Sequence, residues 1–372
     1  MAVPSVSPSL PAFLEQSKGE IHAKFVDLEW QQRNRLLAGM QAVSDPNTAP
    51  EEFSRLSSAA TSSRNRYINV EPFALNRIKL KVGDGHNDYI NASPVQLGKR
   101  KYIATQGPKD TSVNHFYRMI QAEVKSPAVV VMLTQTHEAG KEKCFPYYPL
   151  SKEESPLVIP VDKEIDDGFR GEVELESFQE DATTRSEIRT MVLRTNAAEG
   201  VETVEKTIYH ILFSGWPDFL VPEGDDKAAL VQLVELSARL NKLSTNVENL
   251  GTNGEPTLIP DEDIDEQNNP RIVHCSAGVG RSGTFIALDY LLSLLHTGQL
   301  DNIPSDQDPI ADTVEQLRKQ RMMMVQGEGQ FMFLYDVLRG LMNERLKQLS
   351  EQMAGTSNSL DSSISAPENE DD

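Results

Sequence analysis

The sequence predicts an α/β fold built as one domain, and three patterns predict it. Residues 128–133 (AVVVML) form a continuous apolar, β-branched run, as expected of a central strand buried on both faces. Residues 158–213 alternate apolar and polar side chains, as Val173 and Leu175 do against Glu172, Glu174 and Glu176, which is the period of sheet strands. Residues 228–243, 283–295 and 310–321 instead carry apolar residues at helical spacing. The chain has 372 residues and 38% hydrophobic content, enough for a substantial core.

Taken in order, residues 11–43 place Phe13, Leu14, Ile21, Phe25, Leu28, Leu36 and Leu37 at spacings that suit two helices, with Gly19 as the break. Residues 1–19 are therefore assigned to an N-terminal segment ahead of a domain spanning 20–348. A stretch rich in Ser, Thr, Asn and Pro, 44–63, is a connection, and Lys99, Arg100 and Lys101 read as a solvated basic turn. A helix over 113–124 precedes the 128–133 strand. Beyond the 228–243 helix, residues 244–269 bring Gly, Asn, Pro and the cluster Asp261, Glu262, Asp263, Asp265 and Glu266, the pattern of an acidic, flexible surface insertion. Residues 326–330 (QGEGQ) open a last helix running towards Lys347, and 349–372 read as a disordered acidic tail.

The 36 Lys and Arg against 56 Asp and Glu give a net charge of −20, which argues against nucleic acid or an anionic membrane as the main partner. Only Cys144 and Cys275 are present, so a disulfide framework is not expected and a reducing compartment is. The N-terminus lacks the basic and apolar regions of a signal peptide, and no apolar run reaches the roughly 18 residues of a membrane span. The expectation is a monomer without membrane insertion, in the cytoplasm and with the nucleus also open.

Chemistry concentrates in residues 270–285, PRIVHCSAGVGRSGTF. Arg271, Ile272 and Val273 suit the end of a buried strand, and a helix follows. Between them, Ser276, Ala277, Gly278, Val279 and Gly280 separate Cys275 from Arg281. The glycines let the backbone curl so that successive N–H groups converge on one anion, and the helix adds its positive N-terminal dipole. Arg281 supplies a planar fork matched to two phosphate oxygens. In that field a thiol of ordinary pKa about 8.5 falls to roughly 3.5–7.5, which makes Cys275 a thiolate aimed at phosphorus. Gly278, Gly280 and Gly283 also spell Gly-x-Gly-x-x-Gly, but a dinucleotide fold wants an early strand–helix–strand unit, and this loop comes late.

HCSAGVGRSGTF resembles the His-Cys-x5-Arg-Ser/Thr signature of the protein tyrosine phosphatases, and similarity to the family extends over roughly residues 20–346 with its motifs in order. Within the family the chain looks most like the non-receptor enzymes of fungi. The resemblance implies a highly twisted mixed sheet with helices on both faces. It implies hydrolysis of phosphotyrosine in proteins through a cysteinyl-phosphate, with phosphotyrosine-containing proteins as partners and neither metal nor cofactor. Cys275 would be the nucleophile and Arg281 the phosphate ligand, with residues 276–280 binding through Ser276, Ala277, Gly278, Val279 and Gly280, and His274 and Ser282 flanking them.

The other motifs follow by the same resemblance. Asn65-Arg66-Tyr67 is similar to the phosphotyrosine-recognition loop, where Tyr67 would make a wall deep enough to exclude phosphoserine. Asn69 stands where an Asp commonly holds the substrate backbone. Glu138 would fix the Arg281 fork, and Lys143 would approach the acid loop Trp216-Pro217-Asp218. Asp218 would be the general acid, because a phenolate of pKa about 10 leaves slowly unless protonated. Trp216 and Pro217 would give that carboxyl an apolar setting. Gln326 and Gln330 would position the hydrolytic water, and Met323 would narrow a side entrance. Residues 87–93 and 102–108 match family blocks read as structural. A dual-specificity phosphatase and an inactive phosphotyrosine-binding module remain alternatives.

Overall fold

The structure is a computed structural model that describes residues 9–42, 52–56, 58–196, 203–218, 220–242 and 267–364, with backbone alone at 41–42 and 352–364. Helices α1 (Ala12–Glu15), α2 (Lys18–Ala42) and α3 (Ala59–Ser62) precede strands β1 (Ala92–Leu97) and β2 (Arg100–Thr105). Then come α4 (Val113–Glu123), β3 (Ala128–Met132) and the short hairpin β4 (His137–Glu138) and β5 (Lys141–Glu142). Strands β6 (Leu157–Val158), β7 (Arg170–Asp181), β8 (Ser186–Asn196) and β9 (Val204–Phe213) lead to α5 (Asp225–Lys242). The chain closes with β10 (Gln267–His274), α6 (Gly280–His296), α7 (Pro309–Gln320) and α8 (Glu328–Ile364).

Eight strands form one twisted mixed sheet in the order β1-β2-β10-β3-β9-β8-β7-β6. The central strands β2, β10, β3 and β9 are mutually parallel, and the outer pairings are antiparallel. Side chains alternate between the two faces. Val129, Val131 and Val273 join the core packed under α5, α6, α7 and α8, whereas Ala128, Val130, Met132 and Ile272 face the core containing Phe116 and Ile120 of α4. Burial on both faces explains why β3 reads as an unbroken apolar run. Because the four central strands point the same way, the loops after β2, β3, β9 and β10 all gather at their C-terminal edge, where open α/β sheets bind ligands.

Several expectations are corrected. Gly19 lies inside α2; the break falls at Gln16 and Ser17, because the Ser17 hydroxyl accepts the Glu20 amide (3.3 Å) and the Glu20 carboxylate accepts the Ser17 amide (2.8 Å). Phe13 and Leu14 are core residues, so the segment before residue 20 packs with the domain. Residues 59–62 of the expected connection are helix, capped by Ser58. Arg100 is buried against Asp289 (3.1 Å) beside Arg271, because it begins β2 facing inward, and is no solvated turn. Residues 267–269 of the expected insertion belong to β10, paired with β2; residues 244–266 lie outside the described residues. The segment expected to be a disordered tail is helical as far as Ile364, since no proline interrupts α8 and its first turns are anchored in the core. Residues 365–372 lie outside the described residues.

Candidate active site

His274 ends β10, and the chain then turns through residues 275–279 into α6, whose first turn contains Arg281. The loop's outward carbonyls are all engaged. Ser276 O accepts from the Gly107 amide (2.9 Å), Ala277 O and Gly278 O from Arg321 (3.1 and 2.8 Å), and Val279 O from the Val325 amide (3.2 Å). In a planar trans peptide the N–H points opposite to the C=O, so fixing the carbonyls outward turns the amides inward. Gly278 adopts φ +72°, and a Cβ there would come within 2.1 Å of the Thr105 carbonyl oxygen, so only glycine fits.

Cys275 lies at the floor of this loop, 4% exposed. Burial opposes its ionisation, but the Arg281 charge, Ser282 and the Gly278 amide outweigh it, and the thiol sits below its ordinary range. The Gly278 amide donates to Sγ at 3.3 Å. The buried Ser282 hydroxyl and amide face the thiolate and help to lower its pKa, and the hydroxyl has no other hydrogen-bond partner among the described residues. Behind the loop, burial holds the His274 imidazole down at about 4, so it is neutral at pH 7. Its Nδ1–H donates to the Cys275 carbonyl (3.1 Å) and its Nε2 accepts from the Tyr147 hydroxyl (2.7 Å), which in turn accepts from His210 Nε2–H (3.0 Å); these tautomers follow from the donors each partner can supply.

The Arg281 fork is held by Glu138 through two bonds, 2.6 and 3.2 Å, and Glu138 is itself positioned by the Thr134 hydroxyl (2.8 Å). Glu138 and Lys141 face each other across the two-residue turn Ala139-Gly140, both at positive φ, a tight hairpin that fixes the carboxylate. Arg281 also donates to the Trp216 carbonyl (3.1 Å) and to Asp218 Oδ1 (3.1 Å), while the Asp218 Oδ2 atom accepts from Lys143 Nζ. Burial lowers the Lys143 pKa, yet the Asp218 contact outweighs it and raises the value overall. Trp216 is buried, its ring tilted against that of Phe333, and its indole N–H donates to the Leu220 carbonyl (3.0 Å).

A cleft of about 430 Å³ opens over the thiol, lined by Tyr67, Asn69, Lys143, Asp218, Cys275, Ser276, Ala277, Gly280, Arg281, Gln326 and Gln330, with Val70, Lys141 and Glu142. Tyr67 donates to Ser276 Oγ (2.8 Å), and the Ser276 hydroxyl in turn donates to the Lys143 carbonyl (2.9 Å). Gln326 and Gln330 approach Gly280 so closely that a Cβ there would lie 3.1–3.3 Å from their side-chain atoms. Val279 is brought to the loop but not to the cleft: its side chain is core, so only its backbone can face a ligand. Gly278, Ser282, His274, Glu138 and Trp216 stand behind the lining. Met323 also misses the cleft; it packs against the core at φ +59° with its amide bonded to Gln32 (2.7 Å).

Sequence reasoning missed Arg321, Thr134 and the rim residues Val70, Lys141 and Glu142. Arg321 is fully buried, and besides the two loop carbonyls it reaches Asn91 Oδ1 (2.8 Å) and Ser93 Oγ (3.2 Å). An Arg directly before the apolar run Met322-Met323-Met324-Val325 was the available signal, since charge beside such a run needs buried partners.

Fold and site together define an α/β protein with a cysteine–arginine anion loop at the C-terminal edge of its parallel strands. The chain belongs to the protein-tyrosine phosphatase family, whose model, described as protein-tyrosine phosphatase, matches residues 61–339. It is 31% identical over 351 residues to tyrosine-protein phosphatase 2 of Schizosaccharomyces pombe, a match covering 93% of this chain but 42% of that relative. It is 30% identical to tyrosine-protein phosphatase 1 of Saccharomyces cerevisiae, covering 75% of this chain and 82% of that one. Among solved structures it is similar to PTPN18 in complex with HER2-pY1196 phospho-peptides, with a TM-score of 0.65, 25% identity, and coverage of 88% of this chain and 98% of the other.

Proposed function

We propose that the chain hydrolyses phosphotyrosine in proteins, with Cys275 as nucleophile, Arg281 as phosphate ligand and Asp218 as general acid and base. The observation that carries this reading is a thiol lowered in pKa at the floor of a cleft, with Asp218 held across the same Arg281 fork. An incoming phosphate takes the Arg281 contact that Asp218 Oδ1 occupies, which frees the carboxyl to face the leaving oxygen. Cys275 Sγ forms a bond to phosphorus as the bond to the tyrosine oxygen breaks, and Asp218 gives that oxygen its proton. In the second step a water held by Gln326 and Gln330 attacks phosphorus, Asp218 takes its proton, and the S–P bond breaks to restore the thiolate and release phosphate. Arg281 and the inward amides stabilise the charge on the transferring group. Tyr67 and its bond to Ser276 set the wall height that selects phosphotyrosine.

The test is phosphate release from a phosphotyrosine peptide. Wild type releases phosphate and shows transient phosphocysteine after acid quench, whereas Cys275→Ser binds the peptide and releases none. Equal turnover of a phosphothreonine peptide would replace this reading by dual specificity. Peptide binding without turnover by the wild type would make the chain a binding module.

The same reading takes the catalytic unit to include α1, and the protein to be a monomer of the cytoplasm with access to the nucleus. Two buried free cysteines suit a reducing compartment, and no described helix is long and apolar enough to cross a membrane. Sedimentation of the purified chain and imaging of a tagged copy test these points.

A further inference from the structure

Ile68, beside the cleft, has no part in the chemistry above. It is 87% exposed, and it sits between Tyr67 and Asn69, both of which line the cleft. The Val70 amide donates to the Tyr67 carbonyl (3.3 Å), so Ile68 and Asn69 are the two central residues of a tight turn. Such positions favour Gly, Pro, Asn, Asp or Ser, and a β-branched side chain is better suited to a strand. An isoleucine projecting into water from a turn tip gives the fold nothing, so folding does not explain why it is there.

The turn itself is held on both sides. Asn65 is buried, accepting from Tyr89 (2.7 Å) and Asn91 (2.9 Å). Arg66 is tied to the carbonyls of Gly107 (3.1 Å) and Pro108 (2.7 Å) and to the Glu142 carboxylate (3.1 Å). Tyr67 is bonded to Ser276, and Val70 is buried. Ile68 is thus an apolar tip on a preorganised support, and contact with it costs little ordering. Two adjacent cations are committed elsewhere, Arg66 to Glu142 and Lys143 to Asp218, which leaves exposed Lys141 as the rim cation that competes with the apolar tip for a substrate side chain.

Resting on the phosphotyrosine reading above, we propose that Ile68 selects substrates carrying a bulky apolar residue next to the phosphotyrosine. With the phosphotyrosine ring in the cleft, its chain neighbour lies one Cα step of about 3.8 Å away, above the rim. Covering part of the Ile68 side chain against a leucine-sized partner gives about a tenfold gain in kcat/KM.

The test compares phosphotyrosine peptides that differ only in the residue before or after the phosphotyrosine, Leu, Asp or Lys, with a small aryl phosphate as reference. Wild type prefers the Leu peptide over the Asp peptide by about tenfold on one side. Ile68→Ser shrinks that ratio to below about threefold, and Ile68→Leu restores it. Equal turnover of the three peptides by the wild type would overturn the assignment, as would a preference for Asp that disappears in Lys141→Ala. Failure to hydrolyse any peptide or the aryl phosphate would instead overturn the phosphatase reading itself.

Discussion

The cysteine loop and the acid loop meet in one cleft and are held in opposite ways. Residues 275–281 are buried apart from half-buried Ala277, and the carbonyls of 276–279 are pinned from two separate segments, by Gly107 and by Arg321 and Val325. Asp218 keeps 29% of its side chain exposed and is held by contacts to Lys143 and Arg281, both members of the site. Trp216 anchors the base of that loop, but the carboxyl beyond it depends on charges that a phosphate would compete for. A cradle that stabilises developing charge gains from rigidity, because no reorganisation is then needed at the moment of reaction. A group that gives a proton and later takes one back gains from being able to move.

Breaking the movable partner has the largest expected effect. Asp218→Asn lowers kcat by about 10²–10⁴-fold with KM little changed, and it flattens the alkaline limb of the kcat/KM profile against pH. The acid limb persists, because it belongs to the Cys275 thiol, which ionises below its ordinary range. An alkaline limb identical to wild type would assign the proton to another group.

Breaking the fixed partner from behind has the next largest effect. Arg321→Met frees two loop carbonyls and leaves buried acceptors unpaired. It is expected to lower kcat by about 10²-fold and to destabilise the fold by about 3 kcal/mol in urea unfolding. Loss of stability with full kcat would show that the carbonyl anchors serve the fold and not the cradle.

The smallest effect sharpens the contrast through pH. His274 titrates near 4 in the folded chain because of burial, against about 6.5 when unfolded. Between those values the unfolded chain binds the extra proton, so stability is full above about pH 6.5 and falls as pH drops, by about 1.4 kcal/mol per unit. Buried His210 is shifted in the same direction. His274→Gln is expected to reduce the loss of stability between pH 7 and pH 5 by about 2 kcal/mol, measured by urea unfolding at both values. An unchanged loss would place the titrating proton elsewhere.

The sequence by itself determined the parts whose conformation is set within a few residues. Cys275 and Arg281 are spaced by a turn that Gly278 alone permits, and the strand before it and the helix after it carry their own periodicity, so the cradle was legible as a string. The β3 run was legible for the same reason, as both of its faces are buried. Only the tertiary structure decided that β10 lies between β2 and β3, because strand pairing depends on contacts between segments far apart in the chain. That placement brings Tyr67, Glu138, Lys143, Asp218, Gln326 and Gln330 to one edge. It also gave Arg321 its partners: the sequence showed a cation beside an apolar run, but the carbonyls it binds come from Ala277 and Gly278, more than forty residues earlier. The helix ends were misjudged where a local cue competed with a stronger one, Gly19 against the Ser17 and Glu20 cap, because a reciprocal pair of hydrogen bonds outweighs one glycine's lower helix propensity.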